Sequence, residues 1–238
     1  MSSWCRKILL TAGFLTMWAG TTAAQSPGRG QFLDELELMA DKGGRNFTLL
    51  NRFRYVDSDK VTWVVPKGFS SDGASIPRVL WSIVGAPWDG EYRRAAVVHD
   101  YFFRQRKYES DVVHRVFYEA MLTDGVEPLK AKLMYYAVVR FNKRWHQVDV
   151  DPFDCNRIQA KPGSRIRCLP APVGTVLLQE IEETPRVEDD IVRRELDQVR
   201  ASLDSKDLSL AELKRVADDN YAKGEKTETP VGYTRSVQ

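Results

Sequence analysis

The chain has 238 residues, 43% hydrophobic and 11% aromatic, enough apolar material for one domain, or for one domain with an extension. Its formal charge is +2. It falls to zero once the N-terminal leader and its two basic residues are set aside, which gives no electrostatic reason to expect a nucleic-acid partner.

The leader is the first element. Arg6 and Lys7 precede an apolar stretch from Ile8 to Trp18, and small residues follow up to Ala24. Charge, short apolar run and small residues in that order read as a signal peptide over 1–24, cleaved near Ala24. The run is too short for a comfortable membrane span. Cys5 lies ahead of it, away from any lipidation-type cleavage site. The mature chain is therefore expected in a periplasm or secreted. In an oxidising compartment Cys155 and Cys168 are expected to form a disulfide, with two unpaired thiols as the alternative.

Charge divides the remainder. Residues 180–238 carry fifteen acidic and ten basic side chains, a net of −5, which leaves about +5 on 25–179. Aromatics thin out after Phe153. The expected organisation is an N-terminal linker (25–45), a core domain (46–150), a linker (151–180) and a charged helical tail (181–238) whose end is disordered.

Within the core, Phe47–Val56 and Lys60–Pro66 are rich in β-branched and aromatic residues and flank "DSD", which predicts a β-hairpin with Val61, Trp63 and Val65 on one face. "PKGFSSDGASIPR" then reads as a structured loop. Three helices are predicted next. The first spans Glu91 to Arg104 with Asp89 as a possible cap. The second spans Asp111 to Thr123 with Ser110 as cap and Gly125 just past its end. The third begins near Pro128 and continues past Trp145, which leaves His146 at its end. In the tail, Val192, Leu196, Val199 and Leu203 form a narrow apolar seam. Ser209 and Glu212 form a capping box beside Leu208 and Leu213. The seam packs on its own domain or on a partner helix. The fold class is mainly α with a small β-hairpin, an α+β protein built on an αα-hairpin.

The chemistry concentrates at "HDYFF", residues 99–103. An αα-hairpin centred near residue 105 would set His99 opposite Asp111. A carboxylate on one imidazole nitrogen fixes the tautomer and supports a general base. Asp100 points about 100° away around the helix. There it can reach the "SSDGAS" loop, where Asp72 and backbone carbonyls supply hard oxygen ligands suited to Ca²⁺. A transition metal held by the histidine and carboxylates is the alternative. Ser75 as a nucleophile is a weaker option, because no nucleophile elbow surrounds it. Trp81, Ile83, Val84 and Trp88 would form core, or else a lip that meets a membrane surface.

Across Val65 to Trp145, "VPKGFSSDGASIPR", "AAVVHDYFF", "SDVVHRVFYEAM" and "AVVRFNKRW" resemble a bacterial and phage domain family of unknown function, number thirteen fifty-three. A more distant resemblance is to secreted prokaryotic phospholipases A2. It rests on Ser71-Asp72-Gly73-Ala74-Ser75, then His99-Asp100-Tyr101-Phe102-Phe103-Arg104, then Asp111 and Phe117-Tyr118-Glu119-Ala120-Met121. That resemblance implies a phospholipase-like helical core. His99 would be the base and Asp111 its orienter, with Asp72, the Gly73 carbonyl and Asp100 on Ca²⁺. Two departures stand out. Phe103 replaces a tyrosine, and the position matching the orienting aspartate, counted from Phe117, is His114. The functions implied are ester hydrolysis on a lipid, another envelope hydrolase such as one acting on peptidoglycan, or a non-enzymatic envelope or phage-derived binding module.

Overall fold

The computed structural model describes residues 30–44, 46–72, 91–150, 155, 158–160, 163–170, 176–182 and 187–225. Among these the fold is mixed α+β, with five helices and three small antiparallel sheets. The leader, the helix cap at Asp89, Gly73, Ser75 and the stretch with Trp81 and Trp88 lie outside the described residues.

The N-terminal strands are β1 (Gln31–Phe32), β2 (Leu38–Ala40), β3 (Phe47–Leu49), β4 (Phe53–Val56), β5 (Thr62–Val65) and β6 (Ser70–Ser71). The helices α1 (Arg93–Gln105), α2 (Ser110–Thr123) and α3 (Pro128–Phe141) follow. Next come β7 (Arg144–Val150), β8 (Ser164–Pro170) and β9 (Val176–Glu182), and then α4 (Asp189–Ser205) and α5 (Leu210–Glu225).

The expected hairpin exists as β4–β5, with Tyr55 opposite Trp63 and Phe53 opposite Val65. All four are buried, whereas Val61 stays exposed ahead of the strand. Asp57 sets the turn. One carboxylate oxygen accepts from the Val61 amide at 2.8 Å and the other from the Trp63 indole N–H at 2.8 Å, with the side chain buried. Asp57→Ala would leave that indole donor unpaired in the core, and a loss of about 2–4 kcal/mol in urea unfolding is expected.

The expected strand over Phe47–Val56 is in fact two strands in two sheets. β3 joins β2 and β6, and β4 joins β1 and β5. β1 and β2 also occupy the region expected to be an N-terminal linker. The alternating pattern needed to announce them is missing because each spans only two or three residues.

α1 is enclosed on several sides. Phe102 meets Trp63 edge-on from the first sheet, Tyr101 meets Phe69 beside the second, and His99 meets Phe117 of α2. α2 ends in a Schellman motif. The Val126 amide donates to the Met121 carbonyl at 3.0 Å and the Gly125 amide to Leu122 at 3.3 Å. Gly125 sits at φ +90°, a conformation that a side chain resists. Ser110, the expected cap of α2, is its first residue; Glu109 holds the cap position. The Ser110 hydroxyl instead ties β7 down, donating to the Trp145 carbonyl at 3.0 Å and accepting from its amide at 3.3 Å.

α3 stops at Phe141, with Asn142 extended, rather than running past Trp145. Trp145 follows Phe141 by four residues, a step that fits a continuing helix as well as a strand crossing the same core. His146 accordingly lies on β7, not at a helix end. Residues 151–180, expected to be linker, contain β8 and the first part of β9. The third sheet has the order β7-β9-β8, and Cys155 is bonded to Cys168 of β8.

The tail seam folds back on its own domain. Val192, Leu196, Val199, Leu203, Leu213 and Ala217 are buried in the single core cluster. The capping box forms as read, with Ser209 Oγ 2.8 Å from the Glu212 carboxylate and the Ser209 amide 2.9 Å from it. The polar side of the docking is a buried guanidinium. Arg140 donates twice to Glu195, each at 3.0 Å, and Tyr136 donates to the same carboxylate at 3.1 Å.

Candidate functional site

His99 and Asp100 face two ways, as adjacent helical residues must. The Ser71 hydroxyl, at the end of β6, donates to Asp100, and both side chains are buried. Asp100 therefore does reach the strand that leads into the glycine loop. Asp72 turns elsewhere: Arg104 of α1 donates to its carboxylate at 2.7 Å and to the Ser70 carbonyl at 2.8 Å. Gly73 lies outside the described residues. Among the described residues, no three or more His, Cys, Asp or Glu side chains converge on a position that could hold a metal ion. The expected set for Ca²⁺ or a transition metal is thus not assembled from Asp72, Asp100 and His99 alone.

His99 does not meet Asp111. Its Nε2 lies 3.0 Å from Nδ1 of His114. Asp111 is half exposed and pairs with Lys214 of α5 at 3.3 Å. The reason is the length of the helix connection. Residues 106–109 separate α1 from α2, so the midpoint of the hairpin lies between 107 and 108, not at 105. Asp111 then falls short of His99, and His114, one turn further on, takes its place. Sequence reading placed His114 at the surface or behind the site; it is 1% exposed.

The pair sits in an aromatic box. The His99 ring lies 4.6 Å from Phe117 and 5.5 Å from Phe103, and Phe103 meets Trp145 at 5.2 Å. Phe103, where the phospholipase pattern has tyrosine, contributes a stacked face and no hydroxyl. Burial lowers the His99 pKa to about 3. Burial also holds His114 well below its ordinary value, helped by His99, Arg144 and Lys214. Both imidazoles are neutral at pH 7, and one donates to the other. The remaining nitrogen of His114, Nε2, is buried without a hydrogen-bond partner.

These shifts have a definite sign in stability. The unfolded chain binds protons on both histidines below about pH 6.5, while in the folded chain His99 does so only near pH 3 and His114 only well below its ordinary value. Their contribution is complete above pH 6.5 and is lost as the pH falls, by up to about 1.4 kcal/mol per pH unit for each.

A cleft of about 140 Å³ opens nearby between the start of α2, β7 and α5. Glu109, Asp111, Arg144, His146 and Lys214 line it over Trp145. Sequence reading did not single out this cleft, because its walls come from three distant segments. No helix among the described residues is long and apolar enough to cross a membrane.

Fold and site together define an α+β domain built around a helical hairpin with a buried histidine pair. Residues 47–138 match the model of a protein family described as "Protein of unknown function (DUF1353)". Two curated relatives from Sinorhizobium fredii (strain NBRC 101917 / NGR234) are similar. One, "Uncharacterized protein y4jT", is 37% identical over 54% of this chain and 35% of its own. The other, "Uncharacterized protein y4iH", is 39% identical over 58% of this chain and 60% of its own. The matches thus span about a third and three fifths of these relatives' lengths. No solved structure matches the chain.

Proposed function

We propose that the protein is an exported, non-catalytic binding module of the cell envelope, in which His99 and its neighbours brace the helical hairpin. The observation that carries this reading is the His99–His114 contact. A general base needs a partner that supports its protonated form and a pKa near the working pH. His99 has a neutral imidazole as partner and a pKa lowered to about 3. Export is supported by the leader-like N-terminus and by the disulfide, which suits an oxidising compartment. The competing reading is a calcium-dependent lipid hydrolase of the phospholipase A2 kind. It is favoured by one observation, the approach of Asp100 to Ser71 beside the glycine loop.

The two readings are separated by incubating the purified mature protein with phospholipid vesicles, with Ca²⁺ or with chelator, beside His99→Ala. No release of fatty acid in any arm is expected, together with sedimentation alongside vesicles or peptidoglycan sacculi. Calcium-dependent release that disappears in His99→Ala would sink the non-catalytic reading.

A further inference from the structure

Positive charge is concentrated in one short stretch of the chain. From Cys155 to Cys168 there are four basic residues, Arg157, Lys161, Arg165 and Arg167, and no acidic one, which accounts for most of the +5 on 25–179. The disulfide closes this stretch, which ends in β8, an outer strand of the third sheet. Arg165 and Arg167 are exposed there and, two residues apart on a strand, share one face.

The register fixes what that face adjoins. Ile181 of β9 pairs with Arg165 on one side and Trp145 on the other, and Gln179 pairs with Arg167 and Gln147. The two arginines therefore lie on the Trp145 side of the sheet, about 10 Å across from β7. The connection between α1 and α2 reaches the same side. The Arg106 guanidinium lies 5.7 Å from the Trp145 ring, its carbonyl accepts from Gln147 at 2.8 Å, and Lys107 beside it is exposed. Acidic positions fall elsewhere. Glu180 and Glu182 of β9 have the opposite parity, aligned with His146 and Arg144, and Asp149 aligns with Leu169, past Arg167. Glu109 lines the cleft beside His146. One apolar residue accompanies the cations: Ile158, three residues from one end of the disulfide, is 41% exposed, while Arg167 adjoins the other end.

We propose that this face, made of Arg106, Lys107, Arg165 and Arg167 together with Ile158, docks the protein on an anionic phospholipid surface. It names the partner of the envelope-binding module inferred above and rests on that reading. Several cations on one face are attracted by anionic headgroups, and an exposed isoleucine gains by leaving water for the headgroup boundary. An acidic glycan would answer the charge but leave the isoleucine in water. Sheet and disulfide hold the arginines in place before contact, so little ordering entropy is lost on docking.

Co-sedimentation of the full mature protein with vesicles tests this, using phosphatidylcholine alone and phosphatidylcholine mixed with phosphatidylglycerol. The mixed vesicles should be preferred by about tenfold or more, with the preference shrinking as salt is added. Arg165→Gln combined with Arg167→Gln should lower that partition by about tenfold. Arg193→Gln combined with Arg200→Gln removes the same charge from exposed positions on α4 and should leave it unchanged. No preference for anionic vesicles, or an equal loss in the two double variants, overturns the proposal. Binding to sacculi alone also overturns it, yet leaves the module reading standing. Calcium-dependent release of fatty acid would instead sink the module reading, and the variants would still decide the docking face. Should the β8 variant fail to fold, amide hydrogen exchange of the unmodified protein on mixed vesicles decides. Protection must rise over Ser164–Pro170 and over 106–109, and a rise confined to other segments overturns the assignment.

Discussion

Glu195→Ala is expected to destabilise the folded protein by about 3–5 kcal/mol, the largest effect of any single polar substitution considered. Arg140 is 1% exposed, and its guanidinium makes a two-bond contact with the Glu195 carboxylate. Truncating the acid leaves a full charge inside the tail–core junction. It also deprives the Tyr136 hydroxyl of its acceptor, with only Asn220 still bonded to that oxygen, at 2.9 Å. The cost comes chiefly from stranding the charge, not from any large favourable energy in the pair. Arg140→Met combined with Glu195→Leu should therefore recover most of the loss, because matched apolar side chains often replace a buried ion pair at little cost. Chemical denaturation of the three variants gives the comparison. A loss below about 1 kcal/mol for Glu195→Ala would show that water reaches the guanidinium.

His114→Asp is expected to raise the pKa of His99 from about 3 by about four units or more. A carboxylate at the position now held by the His114 ring would favour the imidazolium, reversing the direction in which burial pushes it. His99 would then titrate above its unfolded value. The stabilisation from the new pair would be fully present below about pH 6.5 and lost as the pH rises through the raised pKa. Proton NMR reads this directly, since the variant keeps only two histidines. An unmoved His99 would mean that the shorter side chain does not reach across the hairpin. The same variant rebuilds the dyad implied by the phospholipase resemblance. Lipid hydrolysis that appears only in His114→Asp would identify the histidine at 114 as the feature that separates this chain from a catalyst.

The helices were largely legible because their apolar residues repeat over three turns or more. The seam Val192–Leu196–Val199–Leu203 and the Ser209–Glu212 box needed no tertiary information, and the structure places both as read. The disulfide was legible from compartment and cysteine count alone. The short strands were not. β1, β2 and β6 are two or three residues long, and pairing, not pattern, defines them. β7 was hidden by a coincidence of spacing, since Trp145 fits both a helix extended from Phe141 and a strand. At the site, the opposed directions of His99 and Asp100 follow from helix geometry and were correctly read. The partner of His99 was misplaced by three residues, because the length of the connection between α1 and α2 decides it and no local signal in 105–110 fixes that length. The pairing of Asp111 with the tail was equally out of reach, since Lys214 lies about a hundred residues further along the chain.

The third sheet imposes an order on assembly. Its strands leave the ribosome as β7, β8 and β9, yet β9 lies in the middle. Until residue 182 has been made, β7 and β8 have no shared neighbour, and each exposes a row of backbone donors and acceptors. The link between Cys155, just beyond β7, and Cys168 in β8 shortens the tether between the two outer strands. Where that bond forms before β9 pairs, the last strand joins two outer strands already held near one another. Chains made under reducing conditions would enter that step with two free edges and a longer search, at the point where edge-to-edge association with other copies competes most strongly.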